Sequence, residues 1–350
     1  MARLAVVTFN LGGPDSLTAV QPFLFNLFHD PDIIGIPQPF RWLLANLISR
    51  RRAPTAKEIY AHLGGKSPLL ELTQRQADKL ATELSGGEDM VEVFVCMRYW
   101  HPMADAVATE VQTFGPDEIV LLPLYPQFST TTVGSSLKDW YRAAARVGLS
   151  VSTRAACCYP TNEGWIAAQA ELVGQALTDA PDGARILFSA HGLPRKIVDG
   201  GDPYQWQVEY TASAVVSAIG GYDDWVVCYQ SRVGPLEWIS PSTEDELLRA
   251  SKDGKGVIIV PIAFVSEHSE TLVELDIEYR ELADDLGLSF YVRVPAAGTH
   301  PAFISGLAET VRRIRSDKGP GPFGGAEGSR LCPASFNKCP CSRSSSGAVI

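Results

Sequence analysis

The sequence predicts an α/β fold made of two doubly wound domains that face each other across a cleft. First, a chain of 350 residues is longer than one hydrophobic core usually supports, so two domains are expected. Second, short β-branched runs alternate with longer helix-compatible stretches, which is typical of parallel sheets covered by helices. Third, four such runs occur in each half with similar breaks. We therefore expect two four-stranded parallel sheets, each flanked by helices, with ligand groups at the carboxyl ends of the strands.

The two halves repeat one pattern of predicted strands. In each half the second strand carries a cysteine and soon reaches an arginine, and the third breaks at a proline into a polar loop. The strands are predicted at 4–11, 91–97, 118–126 and 150–158 in the first half and at 184–191, 225–231, 256–264 and 288–295 in the second. We place the domains at residues 1–160 and 161–315, followed by a linker and tail at 316–350.

The composition favours a soluble enzyme in a reducing, cytoplasmic setting. Hydrophobic residues make up 45% of the chain and charged residues 20%, which is enough for substantial cores. The net charge of −10 argues against nucleic acid as the main partner, because an acidic protein repels phosphate. Seven unevenly spread cysteines do not suit a secreted disulfide scaffold, and the opening "MARLAVVTFN" leads into a strand rather than a signal-peptide core. No apolar run approaches the roughly 20 residues of a membrane-spanning helix.

The first predicted strand ends in the turn "NLGGP" at residues 10–14. A phosphate-binding turn is one interpretation, but neither the third glycine nor the later acidic residue of a dinucleotide-binding fingerprint follows. We favour a sharp turn that brings the backbone close to a flat ligand.

Residues 23–52 are rich in Phe, Leu, Ile and Trp and end on three adjacent arginines, Arg50, Arg51 and Arg52. One interpretation is an apolar lip with a basic rim, which touches a bilayer surface or guides an apolar ligand into the cleft. The alternative is an ordinary helix that packs on its own domain and has a solvated basic end. The sequence leaves both interpretations open.

The segment "ILFSAHGLP" at residues 186–194 places His191 at the end of a buried strand. The edge of a parallel sheet is where ligand-binding groups usually lie. His191 also fits an ordinary loop histidine that makes one hydrogen bond, and this segment alone does not decide between the two.

The most informative stretch is "SEHSETLVELDIEYREL" at residues 266–282. It predicts an α-helix on which Glu270, Glu274 and Glu278 form one stripe, with neighbouring carboxylates about 6 Å apart. Like charges at this spacing destabilise a helix by a few tenths of a kcal/mol per pair, and a cation passing along the stripe would offset that repulsion. A merely solvated acidic face is the alternative.

His191 and His268 are expected to converge with these carboxylates, because the first and third strands of a doubly wound sheet are neighbours. Imidazoles and carboxylates together suit borderline divalent metals such as Fe²⁺ or Zn²⁺. The sequence contains no HExxH motif, and the glutamates outnumber the ligands of a catalytic zinc site. The pattern therefore favours a site that holds a metal loosely and delivers it.

Several long, ordered motifs make the chain resemble the ferrochelatases, which insert Fe²⁺ into a porphyrin in the last steps of haem synthesis. The resemblance runs from about residue 4 to residue 315. Its motifs are "NLGGP" (10–14), "GGKSPL" (64–69), "MRYW" (97–100), "LYPQFSTTTVGSS" (124–136), "LFSAHGLP" (187–194), "YQSRVGP" (229–235) and "PIAFVSEHSETLVELDIEY" (261–279). The resemblance implies a pair of Rossmann-like domains around a porphyrin cleft, with protoporphyrin IX and Fe²⁺ as substrates.

The resemblance also implies roles for particular residues. His191 and Glu270 would be the central catalytic pair. Together with that pair, His268, Glu274 and Glu278 fall on the metal or proton path of the family. The residues expected to contact the substrate are Leu11, Ser67, Arg98, Tyr99 and Trp238.

The chemistry of insertion is consistent with these roles. Two pyrrole N–H protons are replaced by one divalent cation, so the site must accept protons while it presents the metal. An imidazole with a pKa near 6.5 accepts a proton at neutral pH. We therefore expect His191 to be the proton acceptor, with Glu270 raising its basicity and orienting it. Apolar walls and clamped propionates would hold the macrocycle buckled, and Arg98 is a candidate for the propionate clamp.

The last part of the chain differs in composition from the rest. A Gly/Pro-rich linker at residues 316–330 precedes a tail in which Cys332, Cys339 and Cys341 lie within ten residues. Such proximity in a reducing compartment indicates thiolate ligation rather than disulfides. Some ferrochelatases carry a [2Fe–2S] cluster in an extension of this kind, which requires four thiolates, so the resemblance implies the same cluster here. Zinc is the alternative occupant.

The fourth thiolate must come from the body of the chain. Cys157 and Cys158 end the last strand of the first half, and adjacent strand residues face opposite ways, so one of the two is expected to reach the cluster. We predict Cys158 as that ligand. Cys96 and Cys228 lie inside strands and are predicted to be core residues.

Other functions fit parts of the pattern. A haem or tetrapyrrole carrier would share the cleft, but it does not need a proton acceptor that faces a row of carboxylates. A chelatase for cobalt or nickel, or for coproporphyrin, would use similar ligands. We further expect a cytoplasmic protein, and we leave open both peripheral contact with the inner membrane through residues 23–52 and a homodimer.

Overall fold

The structure is a computed structural model of the 350-residue chain. It describes residues 2–87, 89–181, 183–232, 234–317, 323–324 and 330–343, with the backbone alone for 323–324 and 342–343. Most of the predicted linker, and residues 344–350 of the predicted tail, therefore lie outside the described residues.

The predicted strands form two parallel sheets. The strands of the first sheet are β1 Arg3–Asn10, β2 Met90–Met97, β3 Glu118–Pro123 and β4 Ser152–Ala156. Those of the second sheet are β5 Arg185–His191, β6 Trp225–Gln230, β7 Val257–Pro261 and β8 Tyr291–Arg293. The strand orders are β2-β1-β3-β4 and β6-β5-β7-β8, so the second sheet repeats the topology of the first, in agreement with the prediction of two four-stranded sheets. A ninth strand of two residues, β9 Phe323–Gly324, adds to the edge of the first sheet by pairing with β4.

Helices fill the connections between the strands. The α-helices of the first half are α1 Val20–His29, α2 Phe40–His62, α3 Leu69–Leu84, α4 Ala104–Phe114 and α5 Ser135–Arg146. They are followed by α6 Glu163–Asp179, α7 Arg195–Asp199, α8 Tyr204–Ala218, α9 Thr243–Lys252, α10 Tyr279–Asp285 and α11 Pro301–Ser316. Two π-helices, Thr130–Gly134 and Glu270–Glu278, run directly into α5 and α10, and a 3₁₀ turn, Pro340–Arg343, lies in the tail.

Both faces of each sheet are buried under helices. Along β1, Ala5 and Val7 pack on one face with α4 and α5, whereas Leu4 and Val6 pack on the other face with α11. This alternation follows from the period of two along a strand. It explains why the central strands are apolar at nearly every position, which is the feature that identified them in the sequence.

The halves are joined through shared cores. Helix α6 contributes Trp165 to the core of the first sheet and Val173 to the core of the second. Helix α11 comes from the end of the second predicted domain, yet its Phe303 and Leu307 pack on the first sheet. No helix in the described part of the chain is long and apolar enough to cross a membrane.

The acidic stretch is not the α-helix that its i, i+4 spacing predicted. Residues Glu270–Glu278 form a π-helix, in which backbone hydrogen bonds run from residue i to i+5. The three glutamates therefore do not share one environment: Glu270 and Glu274 are partly buried, whereas Glu278 is exposed. Long π-helices are rare, and π-type segments are frequent at functional sites.

Candidate active site

The site begins at the carboxyl edge of the second sheet. His191 is the last residue of β5, a central strand that pairs with both β6 and β7. Gln230 lies opposite His191 on β6, and its carbonyl accepts a hydrogen bond from the backbone N–H of Gly192 at 2.9 Å. The loop after β7 leads to the π-helix that starts at Glu270. Adjacent parallel strands thus deliver the polar groups to one edge, as the sequence predicted.

His191 and Glu270 are in direct contact. The Nδ1 atom of His191 lies 2.9 Å from Oε2 of Glu270. Because a carboxylate accepts, Nδ1 donates, and Nε2 of the neutral imidazole is left as the base. The His191 side chain remains 42% exposed, so its free nitrogen is accessible to a ligand.

This contact changes the pKa values of both partners. Desolvation alone would lower the pKa of His191, but the adjacent Glu270 carboxylate outweighs it, so the pKa lies above its ordinary 6.5. Burial alone would raise the pKa of Glu270, but the charge and hydrogen bond of His191 lower it to about 2. The pair is therefore an imidazole of increased basicity beside a carboxylate that stays ionised.

We predict that Glu270→Gln lowers the pKa of His191, because the amide removes the charge that opposes desolvation. The measurement is an NMR titration of the imidazole in metal-free protein, in which wild type should titrate above 6.5. The pair should also stabilise the fold most between pH 4.5 and 6.5, since its contribution is lost as the pH rises through the raised histidine pKa or falls towards the depressed glutamate pKa. An unchanged His191 titration in the variant would refute this electrostatic coupling.

Glu274 is held by several donors on the neighbouring strand end. Its carboxylate accepts from Gln230 Nε2 at 3.0 Å, from the Ser231 backbone N–H at 2.8 Å and from the Ser231 hydroxyl. Ser231 adopts a left-handed φ of 60°, which is uncommon outside glycine and points its N–H at this carboxylate. Tyr279 OH also donates to Glu274 at 3.2 Å. Burial and the charge of Glu270 raise the pKa of Glu274, so this second carboxyl binds a proton more readily than a free glutamate.

His268 lies on the other side of Glu270. Its Nδ1 is 3.2 Å from the carbonyl oxygen of Ser266, so Nδ1 donates and Nε2 faces Glu270 Oε2 at 3.9 Å. Burial lowers the pKa of His268, which keeps the imidazole neutral near pH 7. The structure thus brings His191, His268, Glu270 and Glu274 together, and it leaves Glu278 at the surface.

Arg293 anchors the acidic segment. Its guanidinium binds Asp276 with two contacts of 2.7 Å and Glu267 at 2.7 Å. Glu267 lies just before the π-helix, and Asp276 lies in its second turn. The guanidinium of Arg293, on β8, therefore holds both carboxylates in place. Two acidic side chains of this segment are therefore neutralised by the protein itself.

Arg98 and Tyr99, both predicted substrate contacts, share one buried carboxylate. Both side chains bind the buried carboxylate of Asp30, through Arg98 Nη2 at 2.8 Å and Tyr99 OH at 2.7 Å, and the Ser135 hydroxyl donates to the same oxygen. Arg98 also pairs with Asp139 at 3.5 Å. Tyr99 is fully buried, and Arg98 pairs with two carboxylates, while the substrate contacts expected of both residues stay a prediction.

The other residues predicted to contact the substrate are Ser67, Trp238 and Leu11. Ser67 stands against Gly13, where a Cβ atom would lie 2.4 Å from the Ser67 hydroxyl, so only glycine fits the "NLGGP" turn at this position. Trp238 packs over Gly192, whose added Cβ would lie 3.2 Å from the indole. Leu11 belongs to the apolar cluster formed by α1 and α2.

Four contributors were not assigned from the sequence. Tyr60 of α2 hydrogen-bonds Ser269 and lies near Glu270, and burial raises its pKa to about 12. Gln76 of α3 donates to the Val265 carbonyl at 2.9 Å, which ties the first half to the loop before the π-helix. Gln230 and Ser231 stand within the motif "YQSRVGP", which was the available signal, but their function as donors to Glu274 depends on backbone geometry.

A second candidate site consists of cysteines. The sulfur atoms of Cys157, Cys339 and Cys341 lie within 4.8 Å of one another and could hold a metal ion. Cys332 is buried in the same core cluster, and Cys158 packs against it. Hydrogen bonding from Cys157 lowers the pKa of Cys339, and it lowers that of Cys341 to about 5. Two thiols of the tail are therefore poised to become thiolates.

The structure corrects the reasoning that chose Cys158 alone. Cys157, rather than Cys158, belongs to the compact group of three, yet Cys158 also contacts Cys157. Both residues follow β4, which ends at Ala156, so strand alternation does not separate them. The core assignment of Cys96 and Cys228 is confirmed, because both are buried inside strands.

Fold and site together define a class: two-sheet α/β proteins with a histidine–carboxylate centre at the edge of one sheet. SirB from Bacillus subtilis, solved with Fe³⁺, has a similar fold, with a TM-score of 0.52 over 90% of this chain and 96% of SirB at 13% identity.

Sequence comparison finds proteins that are more similar to this chain. A model of the ferrochelatase family matches residues 3–314. The chain is 54% identical to a ferrochelatase of Caulobacter vibrioides over 97% of both chains, and 52% identical to that of Phenylobacterium zucineum over 97% of this chain and 98% of the relative. This chain belongs to the ferrochelatase family.

Proposed function

We propose that the chain inserts Fe²⁺ into protoporphyrin IX, which yields protohaem and releases two protons. Family membership across nearly the whole chain supports this reaction. The observation that carries it in this chain is the contact between His191 and Glu270, which places a basic imidazole at an accessible sheet edge.

His191 accepts a pyrrole proton at Nε2 in this proposal. Glu270 keeps the Nδ1 proton in place and stabilises the imidazolium that forms, because the carboxylate remains ionised. A catalytic base works best when its pKa is close to the working pH, and the raised pKa of His191 moves the imidazole in that direction.

The neighbouring groups serve the metal and the protons. His268 presents a neutral imidazole nitrogen towards Glu270, and the two could hold Fe²⁺ between them before insertion. The pKa of Glu274 is raised, and we propose this carboxyl as the next acceptor of a proton from His191 and Glu270. Glu278 is exposed at the end of the π-helix and is the proposed exchange point with solvent.

The proposed porphyrin wall combines Leu11, Ser67 and Trp238. Tyr60 connects the apolar cluster that contains Leu11 to Glu270, which places that cluster beside the catalytic pair. Arg98 and Tyr99 also belong to the proposed substrate contacts, and their hydrogen bonds to Asp30 hold both side chains in place.

The test is anaerobic mixing of the purified protein with Fe²⁺ and protoporphyrin IX, followed by the visible spectrum. Loss of the free-porphyrin bands at a rate proportional to enzyme supports the proposal. Binding of porphyrin without loss of these bands would indicate a carrier. Parallel reactions with coproporphyrin, and with Co²⁺ or Ni²⁺, determine which macrocycle and metal are preferred.

The cysteine site fits a [2Fe–2S] cluster as a resident cofactor. Such a cluster needs four thiolates, and five sulfurs meet here: those of Cys157, Cys339 and Cys341 within 4.8 Å, with Cys158 and Cys332 beside them. We propose Cys332, Cys339 and Cys341 as ligands, with Cys158 or Cys157 as the fourth. When bound, the cluster would supply one-electron redox chemistry. Zinc, held by the same thiolates, is the alternative.

We predict that Cys339→Ser abolishes metal binding at this site. Purified wild type should be reddish, with iron and acid-labile sulfide at about two atoms each per chain if the group is a [2Fe–2S] cluster. The variant should be colourless, because Cys339 contacts both Cys157 and Cys332. Cys228→Ser, at a buried strand position outside the site, is the matched control and should retain the colour. Colourless wild type that contains zinc would contradict the cluster.

The larger organisation is also proposed. We retain domains at residues 1–160 and 161–315, with a linker and tail at 316–350, although α11 packs on the first sheet. The exposed apolar side chains of α2 favour peripheral contact with the inner membrane in a cytoplasmic protein. They are Phe40 at 65%, Trp42 at 49%, Leu43 at 55% and Leu47 at 58% exposure. A homodimer that covers the same side chains is the alternative.

A further inference from the structure

Gln207 is a buried polar residue that links the cysteine site to the opposite half of the molecule. It lies on α8 of the second half and is fully buried. Its side-chain Nε2 is 3.0 Å from Cys332 Sγ and 3.4 Å from Cys158 Sγ. Its Oε1 is 2.7 Å from the backbone nitrogen of Phe128, in the first half.

The orientation of this amide follows from its partners. A backbone N–H can only donate, so the atom that faces Phe128 must be the amide oxygen. The NH₂ group is therefore directed at the two sulfurs. It has two N–H donors, one for each sulfur. The helix fixes the position further, because the backbone carbonyl of Gln207 accepts from the Thr211 hydroxyl at 2.8 Å.

We infer that Gln207 is a positioning residue of the cysteine site, whose amide donates to Cys158 and Cys332 and holds both sulfurs in place as metal ligands. A hydrogen bond to a charged acceptor is roughly twice as strong as one between neutral groups. The two N–H groups therefore restrain the sulfurs of Cys158 and Cys332 in fixed positions beside the other cysteines. This inference rests on the proposal that the cysteine site holds a metal.

The tail makes a second contact with the segment that carries Gln207. Asn337 and Lys338 pack on the turn at Gly201, where an added Cβ would lie 2.4 Å from the Asn337 side-chain oxygen and where Lys338 N–H donates to the Gly201 carbonyl at 3.2 Å. That turn immediately precedes α8. Gln207 and Gly201 thus hold the tail at two points on one segment of the second half.

The test uses Gln207→Glu in the full-length, metal-loaded protein. Glutamate has the same shape and keeps an oxygen for the Phe128 N–H, but it presents an acceptor to the sulfurs in place of a donor. A residue that only supports Phe128 would keep that hydrogen bond in the folded variant and leave the metal site unchanged. Gln205→Glu is the matched control on the same helix, since the Gln205 side chain donates to Glu209 near the surface and not to the cysteines.

Two readouts are recorded: the rate at which a chelator removes the metal, and the sulfur-to-metal absorption bands. We expect Gln207→Glu to release metal about 10–100-fold faster than wild type, as is typical when a partner of a metal ligand is removed. Its bands should shift, because hydrogen bonds to sulfur alter the electronic properties of the site. Gln205→Glu should match wild type within about twofold.

A second variant, Gln207→Met, guards against failure to fold, because it fills the same space without a buried charge. It should also release metal faster and show shifted bands. Release rates and spectra of a folded Gln207 variant equal to those of wild type would overturn the inference while leaving the cysteine site intact. Wild type that carries no metal at the cysteines would overturn both.

Discussion

Replacement of His191 by alanine is expected to lower the rate of iron insertion by about 10²–10⁴-fold, the usual contribution of a general base. The imidazole is the accessible base of the site, and Glu270 raises its pKa above 6.5. Without it, the pyrrole protons lose this acceptor. The measurement is the steady-state rate with Fe²⁺ and protoporphyrin IX under anaerobic conditions.

The fold of the variant should persist, because the side chain of His191 is partly exposed and its removal leaves no large cavity. His62→Ala, at an exposed position on α2, is the matched control and should turn over at the wild-type rate. A near-normal rate in His191→Ala would remove this residue from the mechanism.

The largest expected effect on stability comes from Asp30→Ala. The carboxylate of Asp30 is fully buried and accepts hydrogen bonds from Arg98, Tyr99 and Ser135. Its removal leaves the Arg98 cation and the Tyr99 hydroxyl without this partner in the interior. Breaking a buried ion pair in this way costs about 3–5 kcal/mol. The midpoint of urea unfolding should therefore fall substantially.

Asp32→Ala provides the comparison. Asp32 forms an ion pair with Lys138, whose side chain is nearly half exposed, and such a pair contributes about 0–1 kcal/mol. The urea midpoint of Asp32→Ala should be close to that of wild type. Equal midpoints for the two variants would show that Asp30 does not organise the wall.

The position of the site at the sheet edge could be predicted, because it follows from a local and periodic pattern of apolar residues. Burial of both faces makes β1 and β5 apolar over most of their length, and parallel pairing then brings the carboxyl ends of β5 and β7 together. His191 is the last residue of β5, and the segment that starts at Glu270 comes after the loop that follows β7. Proximity of the two therefore followed from topology alone.

The parts that sequence reasoning missed depend on geometry that no local pattern encodes. An i, i+4 spacing of glutamates fits an α-helix, whereas the structure has a π-helix over Glu270–Glu278. The partner of Arg98 is Asp30, 68 positions away, so the commitment of this cation to an internal carboxylate could not be inferred from the motif "MRYW". Cys157 joined the sulfur group because β4 ends before it.

The central claim is that His191 Nε2 takes protons from the porphyrin nitrogens. The most direct measurement is a crystal structure of the protein with metal-free protoporphyrin IX. We predict a pyrrole nitrogen within about 3.2 Å of His191 Nε2, or joined to it by one water, with Glu270 still bound to Nδ1. A macrocycle whose nitrogens lie beyond such reach, with the imidazole turned away from the ring, would contradict the account.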